Sequence, residues 1–226
     1  VHPDTALWNP GAKHWAFYGE WRADQDLSLE FIAPVQAVVA GTVFRAFGPS
    51  YENAVWISQI AIFLLMAAFL WILRDEDPFA LSGGLLLFWG DYAVSMMSYL
   101  GTNEGTLLLW LGLSMLLVAS RPPTAACWAV AGASFALSTF TKLTGVVFLP
   151  AILACVLSRP ERARRGRLFA AFLAGFTAAS LPFLAFIGSH REAAVRAFDF
   201  LMHQGGDHDR PLWQSVGAFL FHWNGA

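Results

Sequence analysis

The stretch NAVWISQIAIFLLMAAFLWIL, residues 53–73, decides what kind of protein this is. It carries no charge and stops at Arg74-Asp75-Glu76-Asp77-Pro78. A bilayer's hydrocarbon core takes about 20 mostly apolar helical residues, so the run predicts a transmembrane helix. Working outward, residues 79–100 form a second apolar run with Asp91 as its single charge. Residues 105–119 are shorter, uncharged, and close at Ser120-Arg121-Pro122-Pro123. Residues 124–157 are too long for one helix. Lys142, within Ser138-Thr139-Phe140-Thr141-Lys142-Leu143-Thr144-Gly145, divides them into two short spans with a turn between. Residues 168–187 form the last clear run. Lipid offers no partner to free backbone polar groups, so such spans must be helices. A membrane barrel needs strands of about ten alternating residues, and these runs do not alternate.

Composition points the same way. Hydrophobic residues make up 57% of the chain, aromatics 15% and charged residues 13%, about half the charged share of a soluble domain. A net charge of -2 gives nucleic acid nothing to bind. Two cysteines, Cys127 and Cys155, sit in apolar runs and offer neither a disulfide framework nor zinc spacing. Arg outnumbers Lys 12 to 2, which points to a GC-rich bacterial genome. Val1 is not an initiator Met, and Gly225-Ala226 follows an apolar stretch, so the sequence reads as a piece of a longer chain. The fold class expected is an all-α polytopic membrane protein. Residues 1–52 form an extracytoplasmic loop with interfacial helices, 53–187 about six transmembrane helices, and 188–226 an extracytoplasmic loop or the start of a next segment.

Charge assigns the sides. The connections 74–78, 120–123 and 158–167 hold seven Arg, and the much longer remaining connections hold seven basic residues between them. Per residue the first set is about five times denser, which places it in the cytoplasm. The N-terminal segment, the 101–104 loop and the tail therefore face outward together. All six histidines and eleven of the sixteen carboxylates fall on that outer side. In the N-terminal segment the run Val35–Phe47 is too short to span and suits a helix lying at the interface. Trp56, Trp71, Trp110 and Trp128, near the ends of runs, read as interface anchors.

Four positions carry possible chemistry, and a fifth lies in the tail. Asp4 is an outward carboxylate ahead of the interfacial segment; the alternative is an acidic surface loop. Glu104, in Gly101-Thr102-Asn103-Glu104-Gly105, opens a helix, with Thr102 or Asn103 as N-cap. Lys142 lies in a long apolar stretch on the same side, where it either snorkels or serves a site. Asp91, inside its span, needs a partner or water and is expected to face the bundle interior. His203-Gln204-Gly205-Gly206-Asp207-His208-Asp209-Arg210 has ligand types suited to a divalent ion, though such loops also occur without metal. No nucleotide-binding loop or nucleophile elbow is present.

Asp4, then Ala12, Gly19, Pro34 and Phe47-Gly48, resembles the first luminal loop of the GT-C glycosyltransferases. The likeness is to the branch with protein O-mannosyltransferases and the lipid A aminoarabinose transferase. Gly101-Thr102-Asn103-Glu104 is similar to that branch's second acidic motif. Gly132 through Gly145, with Thr141-Lys142, looks like its Gly-x-x-x-Gly-Leu-Ala-x-x-Thr-Lys stretch. The likeness runs in order from Asp4 to about Pro150 and more loosely through His203. One departure is that Asp4 is followed by Thr5, where the family often has Asp-Glu.

The resemblance implies a GT-C-like helix bundle, of which this is an N-terminal part, in a bacterial inner membrane with its site facing the periplasm. It implies a polyprenyl-phosphate-linked sugar donor and an extracytoplasmic protein, lipid or glycan acceptor. Asp4 would take the acceptor's proton and Lys142 would stabilise the departing phosphate. Glu104 would assist, or hold a divalent metal ion if one is used, with Asp91 and His203 as accessory positions. The rival expectation is a transporter fragment in which Asp91, Glu104 and Lys142 line a substrate path.

Overall fold

A computed structural model describes residues 10–21, 31–75, 77–90, 103–119, 124–158 and 162–203. Among the described residues the chain is all-helical. The helices are α1 Pro10–Tyr18, α2 Pro34–Phe47, α3 Tyr51–Ile72, α4 Pro78–Gly90 and α5 Glu104–Ala119. They continue with α6 Ala125–Thr141, a 3-10 helix Leu143–Phe148, α7 Leu149–Leu157, α8 Arg162–Ser189 and α9 Arg191–His203.

Local chemistry sets several of the starts. Ser50 Oγ accepts the Asn53 N–H at 3.1 Å and caps α3, and Thr124 Oγ1 accepts the Cys127 N–H at 3.1 Å and caps α6. Each satisfies a backbone donor that the first helical turn leaves over. Pro34 and Pro78 open α2 and α4, where a missing N–H costs nothing. Gly48, at φ 88°, ends α2. The Asn53 amide then donates to the Gly48 carbonyl at 2.6 Å, tying the α2–α3 corner.

Close backbone approach builds the bundle. α3 and α5 run parallel, with Gly105 against Ser58 and Gly112 against Leu65. A Cβ at Gly105 would lie 2.8 Å from Ser58 Cα, and one at Gly112 2.7 Å from Leu65 Cδ1. α6 lies on α8 through Gly132 and Gly175, where a Cβ would overlap the carbonyls of Phe172 and Ala129. Small residues are what let helix backbones approach this closely. Leu111, Val118, Trp128, Phe135, Ile152, Leu168 and Phe172 pack into one core between α5, α6, α7 and α8. Trp128 is thereby corrected from interface anchor to core residue: it is fully buried. Trp110 is also partly buried, whereas Trp56 and Trp71 are exposed.

Two helices are long and apolar enough to cross a membrane, α3 and the 164–189 part of α8. Only 28% of the most apolar window of α3 and 11% of that of α8 is buried against the rest of the chain. A soluble protein's core helix would be mostly covered. Here Phe63, Trp71, Leu181 and Leu184 stand exposed instead. Of the other apolar runs read as spans, α5 and α6 have 16 and 17 residues and α4 has 13 described residues. These fall short of the length a lone crossing needs. α8 begins at Arg162, ahead of the apolar run read as its span, because the basic segment continues the helix.

One end of the bundle is elaborated. Phe31 and Ile32 pack with Ala193, Ala194 and Ala197 of α9, beside Trp21, Leu143 and Phe186. Phe31 stacks on Phe186 at 5.8 Å. α1 lies on α2, with Trp15 against Gly41, and α2 packs on α3 through Ala37, Ala40, Phe44, Ala54 and Ile57. The run expected to lie as an interfacial helix is thus α2, buried on one face by α1 and the bundle.

Candidate functional site

The elaborated end is also where α6 stops and α5 starts. α6 ends at Thr141 because Lys142 is extended, at φ -156° and ψ 126°, and a 3-10 helix follows. Such a break frees backbone carbonyls that an apolar surrounding would leave costly. Lys142 O accepts the Gly145 N–H at 2.9 Å. Thr141 O accepts from Asn103 Nδ2 at 3.2 Å, a buried bond between residues 38 apart in sequence. The next residue on each segment repeats the spacing: Lys142 Nζ donates to Glu104 Oε1 at 2.5 Å. Two rungs therefore join the start of α5 to the end of α6, one neutral and one ionic.

The ionic rung is half-sheltered. The Lys142 side chain is 31% exposed and that of Glu104 19%. Glu104 sits in the first turn of α5, where the helix dipole favours a carboxylate. Its carboxylate fixes the Lys142 ammonium at the end of α6. An ammonium has three protons, so the Glu104 bond leaves donors on Lys142 for an incoming anion. Charge pairing at this depth is stronger than on a surface yet is not fully desolvated.

The structure brings Glu104 and Lys142 together. Asp4 and Asp91 lie outside the described residues, as do Thr102 and the stretch 204–210. His203 closes α9. Asn103 precedes α5, its carbonyl accepting the Leu107 N–H at 2.9 Å, but its side chain does not cap. Asn103 thus stands at the N-cap position that the sequence left open between it and Thr102, while its amide turns to Thr141 rather than back to the helix. Asn103 was missed as part of the site. The one signal for it is the shared 38-residue offset, visible only once Glu104 and Lys142 are paired.

Among the described residues no group of three or more His, Cys, Asp or Glu could hold a metal ion. At Glu104 the neighbour is the Lys142 ammonium, whose charge repels a divalent ion at the same carboxylate. The donors described at Glu104 therefore do not fit a metal. A separate cavity of about 390 Å³ lies among α3, α4, α5 and α7, lined by Leu65, Phe69, Phe88, Met115 and Cys155. Its walls are apolar and supply no acid or base. The polar end is the candidate site. Against known protein families, curated proteins and solved structures, the chain shows no match.

Proposed function

We propose that this chain is part of a polytopic membrane glycosyltransferase of the GT-C kind. It moves a sugar from a polyprenyl-phosphate carrier to an acceptor hydroxyl on the non-cytoplasmic side of a bacterial inner membrane. The observation that supports the reading most is the half-sheltered Glu104–Lys142 pair, held by two helix ends at the elaborated end of an apolar bundle. The shorter helices α4 to α7 cross as members of the bundle, where neighbouring helices satisfy the polar breaks between them.

In this reading the acceptor oxygen attacks the anomeric carbon of the donor. The carbon–oxygen bond to the phosphate breaks, and its electron pair leaves with the polyprenyl phosphate. Asp4 takes the acceptor's proton. Lys142 meets the phosphate oxygens as their charge grows, a role worth most where the donor is held in place beforehand. Glu104 holds the Lys142 ammonium in place, and the phosphate takes the ammonium protons that Glu104 leaves over. Asp91 and His203 stand as accessory positions on the same reading.

Membranes carrying the protein, supplied with a labelled polyprenyl-phosphate mannose or aminoarabinose donor, test this. Asp4→Asn should lower transfer by about 10²–10⁴-fold, as loss of a general base does. Lys142→Met should lower it by about 10²-fold through lost charge stabilisation. Near-normal transfer by both variants would leave the resemblance as one of architecture. Uptake of a solute abolished by Lys142→Met, with no transfer from any such donor, would favour a transporter.

A further inference from the structure

Behind the two rungs, one face of α5 is polar in an unusual way. Asn103, Thr106, Trp110 and Ser114 follow at i, i+3, i+7 and i+11, which at about 100° per residue keeps them within roughly 80° of arc. Asn103 and Ser114 are fully buried and Thr106 nearly so. Asn103 Oδ1, Thr106 Oγ1, Trp110 Nε1 and Ser114 Oγ are closed to solvent, with no hydrogen-bond partner among the described residues. Neighbouring helices handle the same residue types differently. On α6, Ser138, Thr139 and Thr141 each donate to a carbonyl of their own helix, and on α8 Ser180 does so to Phe176. Among the described residues Trp128 Nε1 on α6 and Gln36 Oε1 on α2 are also buried without a partner, but singly; only α5 carries four such groups along one face, two of them hydroxyls.

A buried polar group without a partner costs about 1–3 kcal/mol, and native chains keep few of them. Four on one helix face therefore call for a ligand. The groups alternate in kind along α5: an acceptor, a hydroxyl, a donor and a hydroxyl. That sequence suits neither an anion nor a cation, because the Asn103 oxygen would oppose an anion and the Trp110 N–H would oppose a cation. It suits neutral O–H groups, which both donate and accept. Successive positions are about 4.5–6 Å apart along the axis at a rise of about 1.5 Å per residue. One water bonded to both neighbours, at about 2.8 Å each, spans that gap.

We infer that this face of α5 is one wall of a polar crevice that takes a file of water molecules. The crevice runs about 16 Å inward from Asn103, and the structure holds it closed. The Asn103–Thr141 and Glu104–Lys142 rungs shut its mouth. The extended Lys142 and the 3-10 connector after it end the helical ladder at Thr141, so the α6 end can part from α5 without bending a continuous helix. Opening lets water satisfy the four groups, and closing returns the direct rungs. The inference goes beyond sugar transfer and holds whatever reaction the mouth serves.

The test uses the protein in its membrane with Cys127 and Cys155 changed to Ala. Single substitutions Ser114→Cys, Thr106→Cys and Phe63→Cys are treated with the small hydrophilic reagent aminoethyl methanethiosulfonate. Phe63 is exposed on the outside of α3 and reports the lipid-facing background. The Ser114→Cys and Thr106→Cys thiols should react well above that background. Adding Asn103→Ala and Lys142→Met should raise their rates roughly three- to tenfold, the scale of a half-buried pair. If Ser114→Cys does not reach the membrane, Thr106→Cys decides alone. Rates equal to the Phe63→Cys background, with the rungs present and absent, would overturn the crevice. Fast rates that the rung substitutions leave unchanged would overturn the closure. Loss of sugar transfer in these variants bears only on the transferase reading, because labelling is read without a donor.

Discussion

At Gly132, α6 lies so close to α8 that a Cβ would overlap the Phe172 carbonyl, and Trp128 one turn earlier is fully buried among Val118, Leu168 and Phe172. At Thr141 and Lys142, the end of the same helix is held to α5 by one amide and one ion pair, with the Lys142 side chain about a third exposed. The first region joins by shape. The second joins by groups that have other possible partners. Close-packed apolar contact has one good arrangement and resists sliding, whereas a hydrogen bond or ion pair can be exchanged for water or substrate at little net cost. A site that must admit ligand is therefore better placed at the second.

The largest effect should come from breaking the first region. Gly132→Val and Gly175→Val each drive a side chain into the backbone of the facing helix. Each should cost about 3 kcal/mol or more, at the upper end of overpacking effects. The fraction of detergent-solubilised protein that stays monodisperse after heating measures this. Tolerance of both variants would mean α6 and α8 are not packed as described.

Next comes the ionic rung. Lys142→Met leaves the Glu104 carboxylate in a sheltered place without its cation. The cost should exceed the ~0–1 kcal/mol of exposed pairs and stay below the 3–5 kcal/mol of fully buried ones. Adding Glu104→Gln should recover more than half of that loss, because two coupled sites are not additive. Thermal stability of the two single variants and the double variant gives the coupling directly. Additive losses would show that the pair is not formed.

A smaller effect belongs to the neutral rung. Asn103→Ala removes the donor from Thr141 O and, at the same time, one buried amide oxygen without a partner. The two changes oppose each other, so the net loss should be about 1 kcal/mol. Asn103→Asp keeps the size, replaces the donor with a second carboxylate beside Glu104, and should cost more. A milder effect from Asp than from Ala would reverse the donor assignment.

How much of this could be read in the sequence differs between the same two regions. Helix positions follow from apolar runs and from caps such as Ser50 and Thr124, which are local signals. Charge density put Glu104 and Lys142 on one side of the chain. Their contact, and the Asn103 rung beside it, depend on residues 38 positions apart and on how α5 and α6 are set in depth. Trp128 reads as an interface anchor from its place near the end of a run. Only the presence of α8 and the Val118 end of α5 against it makes it core. Gly132 and Gly175 look like ordinary small residues until the helix each one faces is known. The polar face of α5 is hidden for a related reason: Thr106, Trp110 and Ser114 are unremarkable until the hydroxyls of α6 and α8 are seen bonding their own backbones.

The smallest effect is expected at the opposite end of α3, and it sharpens the comparison by being near zero. Arg74 and Asp75 approach at 3.8 Å, yet their side chains are 56% and 91% exposed. Arg74 also lies over the Trp71 ring, 4.7 Å from its centroid. Water screens this ion pair, and such pairs contribute a median of about 0–1 kcal/mol. Asp75→Ala should therefore change thermal stability by under about 0.5 kcal/mol, as surface substitutions do. Arg74→Ala should do slightly more, through its lost contact with the indole face. An acid–base pair thus has different consequences at the two ends, because Glu104–Lys142 is sheltered and Arg74–Asp75 is not. Measuring Asp75→Ala beside Glu104→Gln under one protocol makes the difference visible. A loss at Asp75 as large as that at Glu104 would mean the Arg74 end is covered by protein, and the assignment of shelter to one end of the bundle would have to be withdrawn.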